Sequence, residues 1–167
     1  LLELTEVQAG TARVRKTTFP LAPMLHECAE LYQYVAEDHE ATIDVRCGSV
    51  NIHADRNRLK RAIANLIDNA LKYSDKKARI VLAAEELNSE VIISVEDNGW
   101  GIPTSDREKI WERLYRGDAS RSSQGMGLGL SFVKSIVELH GGHIEMKNRV
   151  DRGTIFEISI PIPSNSI

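Results

Sequence analysis

The stretch DNGWGIP, residues 97–103, follows the run EVIISVE, residues 90–96, in which Val91, Ile93 and Val95 recur at every second position. This alternation predicts a β-strand with one buried face, and Asp97 falls on that same face. Burying a carboxylate costs free energy unless a donor hydrogen-bonds to it, and the exocyclic amine of a bound base is such a donor. The two glycines would let the backbone approach a flat ligand closely. Because Asp-Asn-Gly is also common in turns, an ordinary turn at the end of the strand is the alternative interpretation.

A helix is predicted upstream of this strand, beginning after Asp55, because aspartate is a favourable N-cap residue. One face of the helix carries apolar residues at helical spacing. These residues are Leu59, Ala62, Ile63, Leu66 and Ala70. The opposite face carries Asn65 and Asn69 one turn apart, with Lys72 close to the next turn. Amide oxygens suit a hard cation such as Mg²⁺, and an ammonium group can meet phosphates. A solvated helix face would show the same residues, so the triplet alone does not establish a site.

A glycine-rich run downstream, GMGLGL at residues 125–130, opens another predicted helix, from about Leu128 to His140. Backbone N–H groups at a helix N-terminus, unobstructed by side chains, can hold phosphate. The run does not follow a strand, which argues against a dinucleotide-binding Rossmann turn. It also lacks the Gly-Lys-Ser/Thr of a P-loop.

The three signals, in this order, resemble the N, G1, F and G2 boxes of the histidine kinase family. That family lies within the wider group of gyrase, Hsp90, histidine kinase and MutL ATPases. The matching stretches are NLIDNALKYS at 65–74, DNGWGIP at 97–103, IWERLYRGD at 110–118 and GMGLGL at 125–130, followed by a closing GTIF at 153–156. Trp111 stands where most members have Phe. The resemblance extends from about Thr17 to Pro163, nearly the whole chain.

The resemblance implies a site for ATP and Mg²⁺ and assigns a role to each of several residues. Asn69 and Asn65 would hold Mg²⁺ against the triphosphate, and Gln124 would complete the metal or phosphate shell. Asp97 would accept a hydrogen bond from the adenine amine, and Tyr73 would stack on the ring or lie at its edge.

The other roles that the resemblance implies are to form the pocket floor, to contact the phosphates and to cover the bound ATP. Gly99 and Gly101 would shape the pocket floor. Lys72 and Arg116 would contact phosphates, with Arg116 at the γ-phosphate, and residues 113–127 would form a lid over ATP. The nucleotide-binding residues that the resemblance implies are Asn65, Asn69, Lys72, Tyr73, Asp97, Gly99, Gly101, Ile102, Arg116, Gln124, Gly125, Gly127, Leu128 and Gly129.

The phosphoacceptor histidine of the family is missing. Members carry it in a His-Glu-x-x-x-Pro box on an upstream helix, whereas His26-Glu27 is followed by no proline in register and falls on a predicted core helix. The acceptor is therefore expected upstream of the chain, and no catalytic base or acceptor is assigned within it. The other histidines have no partner spacing for metal or catalysis and are predicted to be surface or structural residues. They are His39, His53, His140 and His143.

The predicted fold class is α+β. The expected architecture is a two-layer sandwich with helices packed on one face of a mixed, mainly antiparallel sheet, which the resemblance identifies as the Bergerat-type ATP-binding fold. One helix is predicted from Pro20 to about Asp38, and a short one from Pro103 to about Glu112. The predicted strands are Thr42–Arg46, Ala78–Ala84, Val91–Asp97, His143–Asn148 and Thr154–Pro161.

Three segments divide the chain. Residues 1–16 are interpreted as the end of an upstream dimerisation helix with a linker, the linker being polar from Thr11 to Thr18. Residues 17–163 are interpreted as the catalytic ATP-binding domain, and residues 164–167 as a tail.

The composition indicates a globular domain and argues against a nucleic-acid-binding or membrane-spanning segment. The 167 residues are 42% hydrophobic and carry a net charge of −3 with dispersed basic residues, so a globular domain is expected and nucleic acid is not an expected partner. No apolar run approaches the roughly 20 residues of a membrane helix. Cys28 and Cys47 lack metal-ligand spacing and are predicted to be buried thiols in a reducing compartment. A cytoplasmic location is expected, with an inner-membrane anchor for the parent protein left open.

Four functions compete at this point. A kinase domain could deliver the γ-phosphate to a histidine on the dimerisation domain of the same parent, for relay to a response regulator. An ATP hydrolase could drive a conformational clamp; hydrolases of this group carry a Glu four residues before the Mg²⁺-binding Asn, where this chain has Asn65. A degenerate binding module and a serine kinase related to anti-sigma factors are the other two. The kinase is preferred, with a homodimeric parent and a monomeric fragment.

Overall fold

Seven strands and four helices make up the regular structure of the part of the chain that the computed structural model describes, residues 13–112, 115 and 129–164. The strands are β1 (Thr17–Pro20), β2 (Thr42–Cys47), β3 (Asn51–Ala54), β4 (Arg79–Leu87), β5 (Glu90–Asp97), β6 (His143–Asn148) and β7 (Thr154–Pro161). The helices are α1 (Leu21–Leu31), α2 (Gln33–Asp38), α3 (Arg56–Lys72) and α4 (Gly129–Leu139), with 3₁₀ turns at Thr104–Asp106 and Lys109–Trp111.

Five of the strands form a mixed sheet in the order β2-β4-β5-β7-β6. β2 runs parallel to β4, and the other neighbouring pairs are antiparallel. β1 and β3 form a separate antiparallel pair. The predicted mixed, mainly antiparallel sheet is confirmed.

The core lies between one face of the sheet and the helices. On β5 the alternating side chains of Val91, Ile93 and Val95 are buried, as the sequence predicted. They pack in one cluster with the apolar face of α3, including Ile63 and Leu66. Each fully buried aliphatic side chain stabilises the fold by roughly 1.5–3 kcal/mol. This packing confirms the predicted α+β layering and places the polar face of α3 away from the core.

Two predicted helices differ from the structure. The helix from Pro20 to Asp38 is interrupted at Tyr32, whose backbone leaves helical geometry at φ −106° and ψ 4°. Leu31, just before that point, and Tyr34, just after it, are exposed, so little burial holds the second segment in line with the first. The predicted short helix after Pro103 consists instead of the two 3₁₀ turns, in which only Ile110 is buried.

The pairing of β1 with β3 was not predicted. Thr17 and Thr18, assigned by sequence to a linker, pair with Ala54 and His53. Each strand has only 4 residues, which is too short for a period-two pattern to stand out. The last turns of the predicted upstream helix lie outside the described residues.

The histidines and cysteines divide by burial. His26 and His143 are exposed, whereas His140 is buried and is therefore structural. Cys28 is buried, but Cys47 is only half-buried, and both thiols are free. Among the described residues, no helix combines the length and apolarity needed to cross a bilayer.

Candidate nucleotide-binding site

Asp97 ends β5 with its side chain buried, at 7% exposure. Its Oδ1 accepts a hydrogen bond from the backbone N–H of Gly99 at 2.8 Å. Burial raises the pKa of Asp97, while backbone hydrogen bonds from Gly99 and Thr154 act to lower it. The carboxylate is therefore a buried acceptor held in place by backbone donors, at the position where the sequence predicted recognition of a base.

The turn after Asp97 fits against the end of α3 because Gly99 has no side chain. A Cβ on Gly99 would lie 2.5 Å from both the Ser74 Oγ and the Tyr73 carbonyl oxygen. The next residue, Trp100, donates its backbone N–H to that Tyr73 carbonyl at 3.1 Å. Gly99 therefore packs against the end of α3, and it is not among the residues that line the cavity described below.

Two residues that sequence reasoning did not assign to the site complete the turn. The Asn148 side chain accepts from the Ile102 N–H at 3.3 Å and donates to the Ile102 carbonyl at 3.0 Å. Gly153 has a φ of +113°, and a Cβ there would lie 1.9 Å from the Asp97 carbonyl oxygen. The only sequence signal for Gly153 was its place in the closing GTIF stretch, and Asn148 gave none.

Asn65 and Asn69 lie on the polar face of α3 and face the start of α4. A Cβ on Gly129 would lie 3.7 Å from the Asn65 Oδ1 and 3.9 Å from the Asn69 Oδ1. The Asn65 amide donates to the Arg61 carbonyl at 3.0 Å, which leaves its oxygen available. The Arg61 guanidinium in turn lies 5.0 Å from the centre of the Phe132 ring and helps to join the two helices.

This corner suits Mg²⁺, because two amide oxygens converge on it and hard cations prefer oxygen ligands. No cluster of three or more His, Cys, Asp or Glu in the described part of the chain could hold a metal ion. A cation here would therefore depend on amide oxygens together with phosphate oxygens and water.

Lys72 is engaged elsewhere in the structure. Its Nζ lies 2.6 Å from the Asp68 Oδ2, one turn earlier on α3. Lys72 is not among the residues that line the cavity described next, whereas Tyr73, the residue at the end of α3, is.

A cavity of about 720 Å³ extends from Asp97 to Asn69, a volume within the range of ligand pockets. Asn65, Gly99 and Gly129 are not among its lining residues. The predicted residues that line it are Asn69, Tyr73, Asp97, Gly101 and Ile102. Apolar walls are added by Ile110, Leu130 and Phe156. Five predicted residues lie outside the described residues: Arg116, Gln124, Gly125, Gly127 and Leu128. The cavity thus joins a buried carboxylate to the asparagine face of α3.

Comparison with known proteins gives one family match. The sequence profile described as "Histidine kinase-, DNA gyrase B-, and HSP90-like ATPase" matches residues 54–164. The sensor protein SrrB of Staphylococcus aureus (strain NCTC 8325 / PS 47) is 32% identical over 166 residues, which cover 98% of this chain and 28% of SrrB. The chain therefore spans little more than a quarter of the length of this relative.

Solved structures agree with the family match. The catalytic domain of histidine kinase ThkA, in a nucleotide-free form, superimposes with a TM-score of 0.79 at 29% identity, covering 88% of this chain and 95% of that domain. Histidine kinase ThkA in complex with the response regulator protein TrrA gives a TM-score of 0.78 at 24% identity, covering 99% of this chain and 48% of the other. The second likeness shows the fold alone.

Proposed function

Because the chain belongs to the family of histidine kinase-, DNA gyrase B- and HSP90-like ATPases, as a catalytic domain of the histidine kinase type, we propose that it binds ATP with Mg²⁺ and delivers the γ-phosphate to a histidine outside the chain. The phosphate would then pass to a response regulator. The phosphoacceptor histidine and the response regulator are inferred, because the chain covers only 28% of the length of its sensor relative.

The observation that supports the proposal is a single cavity with a buried carboxylate at one position and an asparagine amide at another. Asp97 and Asn69 both line it. A carboxylate is an acceptor for the exocyclic amine of adenine. The base would therefore lie at Asp97, and the phosphates would extend along α3 toward Asn69 and the start of α4.

Asn69 and Asn65 would hold Mg²⁺ through their Oδ1 atoms, which face Gly129. A bound Mg²⁺ supplies charge neutralisation at the phosphate oxygens. The residues of the chain bind and orient the nucleotide: Asp97 fixes the base, the N-terminus of α4 offers backbone N–H groups to phosphate, and Ile110 and Leu130 provide apolar cover. Lys72 would reach phosphate by exchanging its Asp68 partner for a phosphate oxygen.

Transfer to a histidine is favoured over hydrolysis because α3, which lies within the described residues, presents no carboxylate at the position of Asn65. Asn65 occupies the position that resembles the base of the hydrolases, and an amide cannot accept a proton near neutral pH. The nearest carboxylate along α3, Asp68, lies about 100° around the helix from Asn69 and points away from the metal position. Water in the pocket would therefore be bound without being activated.

We place the catalytic domain at residues 17–163 of a homodimeric parent, with residues 1–16 completing a dimerisation helix and linker and residues 164–167 forming a tail. The start of β1 at Thr17 supports the first boundary. The isolated chain is proposed to be a monomer in the cytoplasm, where ATP is abundant and free thiols such as Cys28 persist.

Phosphotransfer is tested with γ-labelled ATP and Mg²⁺. We expect acid-labile label to appear on an added dimerisation domain from the same parent, and no label on the chain when it is incubated alone. The His26→Asn variant is the control, because His26 is exposed on α1 and is followed by Glu27. Label on the chain alone that disappears in His26→Asn would contradict the proposal of an external acceptor.

A further inference from the structure

Asp75 joins three segments of the chain at one end of the cavity. Its Oδ1 accepts a hydrogen bond from the Trp100 Nε1 at 2.8 Å, and its Oδ2 accepts one from the Arg152 Nη2 at 2.8 Å. Asp75 follows α3, Trp100 lies in the turn after β5, and Arg152 lies in the turn between β6 and β7. We refer to Asp75, Trp100 and Arg152 as the Asp75 clasp.

The clasp lies beside the buried carboxylate. Trp100 and Arg152 both line the cavity, next in sequence to Gly101 and Gly153, which also line it. The Trp100 backbone is bonded to the Tyr73 carbonyl at 3.1 Å, and the Gly153 backbone packs against the Asp97 carbonyl. Movement of either clasp partner would therefore shift a wall next to Asp97.

Stability of the fold is a poor explanation for these contacts. The side chains of Arg152 and Asp75 are 55% and 60% exposed, and exposed ion pairs contribute little to the free energy of unfolding. The hydrogen bonds from Trp100 and Arg152 lower the pKa of Asp75, so Asp75 is an ionised acceptor throughout the neutral range. Because the indole N–H is bonded to Asp75, the part of the Trp100 ring left for the cavity is apolar.

We propose that the Asp75 clasp holds Trp100 and Arg152 against the adenosine end of the nucleotide and slows its release, with Asp75 as a positioning residue. The inference rests on the proposed function, because it assumes that the base lies at Asp97. Unlike the phosphate contacts, the Asp75 clasp acts on the adenosine moiety, which ATP, ADP and adenosine share.

The test compares the dissociation constants of ATP, ADP and adenosine for the wild-type chain and for Asp75→Ala. We expect Asp75→Ala to weaken all three ligands by the same factor, about two- to fivefold, the range typical of exposed contacts. Trp100→Phe keeps an aromatic ring without the N–H and should reproduce part of the loss. In the double variant the two losses should not add, because both substitutions remove the same hydrogen bond between Trp100 and Asp75. Asp75→Asn keeps an acceptor for the indole and should lose less than Asp75→Ala.

Glu27→Ala is the matched control. Glu27 is a half-exposed carboxylate with two cationic partners, Arg56 at 2.6 Å and Lys60 at 2.9 Å, and it does not line the cavity. We expect its affinities to equal those of the wild type. Thermal melting followed by circular dichroism verifies that each variant is folded.

Fluorescence gives a readout that a purely structural role would leave unchanged. In a Trp111→Phe background Trp100 is the sole tryptophan, since the chain has two. We expect its emission to shift on adenosine binding, and the shift to shrink in Asp75→Ala. Equal affinities for folded Asp75→Ala and wild type, or a loss confined to ATP, would overturn the clasp. Failure of the wild type to bind any of the three ligands would overturn the proposed function itself.

Discussion

Asp97 combines two properties that rarely occur together, burial and a negative charge. The cost of burying the charge is offset by backbone donors, and the remaining acceptor capacity is available to a ligand. The sequence predicted this residue because the alternation along β5 determines which face it occupies. It could not predict Asn148 or Gly153, since their proximity to Asp97 depends on the register of β6 and β7, which no local pattern specifies.

The first prediction concerns the charge of Asp97. Asp97→Asn keeps the shape of the side chain but presents an amide, which can place a donor opposite the adenine amine. We expect ATP affinity to fall about ten- to a hundredfold, because a buried charge-assisted hydrogen bond is worth roughly 1.5–3 kcal/mol. Calorimetric titration of both proteins with ATP measures the change.

Asp44→Asn serves as the control for Asp97→Asn. Asp44 lies on β2, where its exposed carboxylate meets the Arg79 guanidinium at 3.3 Å, and its replacement should leave the affinity unchanged. If Asp97→Asn bound ATP with the affinity of the wild type, Asp97 would not be the base-recognition group.

At the scale of elements, α3 and α4 form a pair that is joined at both ends. Gly129, at the start of α4, faces Asn65 and Asn69 on α3. His140, just after α4, accepts the Asp55 N–H on its Nε2 at 2.9 Å. The sequence predicted Asp55 as the N-cap of α3, and its Oδ1 does accept from the Arg58 N–H at 3.2 Å. The partner of its own N–H lies 85 residues away, so it could not be inferred locally.

Proton binding to His140 should oppose this contact. Because Nε2 accepts from Asp55, the ring proton belongs on Nδ1, which donates to the Ile136 carbonyl at 2.7 Å. Burial lowers the pKa of His140 below its ordinary 6.5, aided by Lys16 and Arg58 and opposed by the Ile136 carbonyl and Asp55. The unfolded chain therefore binds this proton at a higher pH than the folded chain does.

The second prediction is a loss of stability in mild acid. The free energy of unfolding should fall as the pH is lowered below about 6.5, toward the pKa of the folded state, with a slope from this group of at most about 1.4 kcal/mol per pH unit. His140→Gln can present an oxygen to the Asp55 N–H without titrating, so its slope should be smaller. Urea denaturation between pH 5 and pH 8 measures both curves.

The exposed residue His143 provides the comparison for this experiment. His143→Gln should retain the slope of the wild type, since it leaves the hydrogen bonds of His140 with Asp55 and Ile136 in place. Parallel curves for His140→Gln and the wild type would show that His140 does not cause the acid sensitivity.

For the whole molecule, sequence patterns were sufficient for the class of fold and insufficient for its irregular parts. The long amphipathic helix α3 and the alternating strands β5 and β7 were predicted because each buries one complete face. The predictions of one continuous helix through Tyr32 and of a helix after Pro103 were wrong. In exposed or sparsely apolar segments the local pattern is weak, and the backbone geometry depends on neighbouring parts of the fold.

The third prediction is that the chain hydrolyses ATP negligibly. A positioned base contributes about 10²–10⁴-fold to such a reaction, and Asn65 cannot act as one. Asp68 lies about 100° around the helix from Asn69, so its carboxylate points away from the metal position. Release of phosphate from ATP over several hours measures the rate.

Asn65→Glu installs a carboxylate at the position in question. We expect a small rise in turnover, accompanied by weaker metal binding. Sustained turnover by the wild-type chain above roughly 0.1 per second, a rate within reach of slow enzymes, would favour a clamp-type ATPase over a kinase.

The pocket is built almost entirely from partners that are distant along the chain, and this bears on the order of folding. Ile102 and Asn148 are 46 residues apart, and Asp75 and Arg152 are 77 apart. Contacts that close long loops form only after their entropy cost has been met. An early intermediate could contain α3 with its two asparagines and still have no place for a base. The ability to bind nucleotide would then appear only at the last stage of folding. The pairing of β7 with β5 would be the step that completes the pocket.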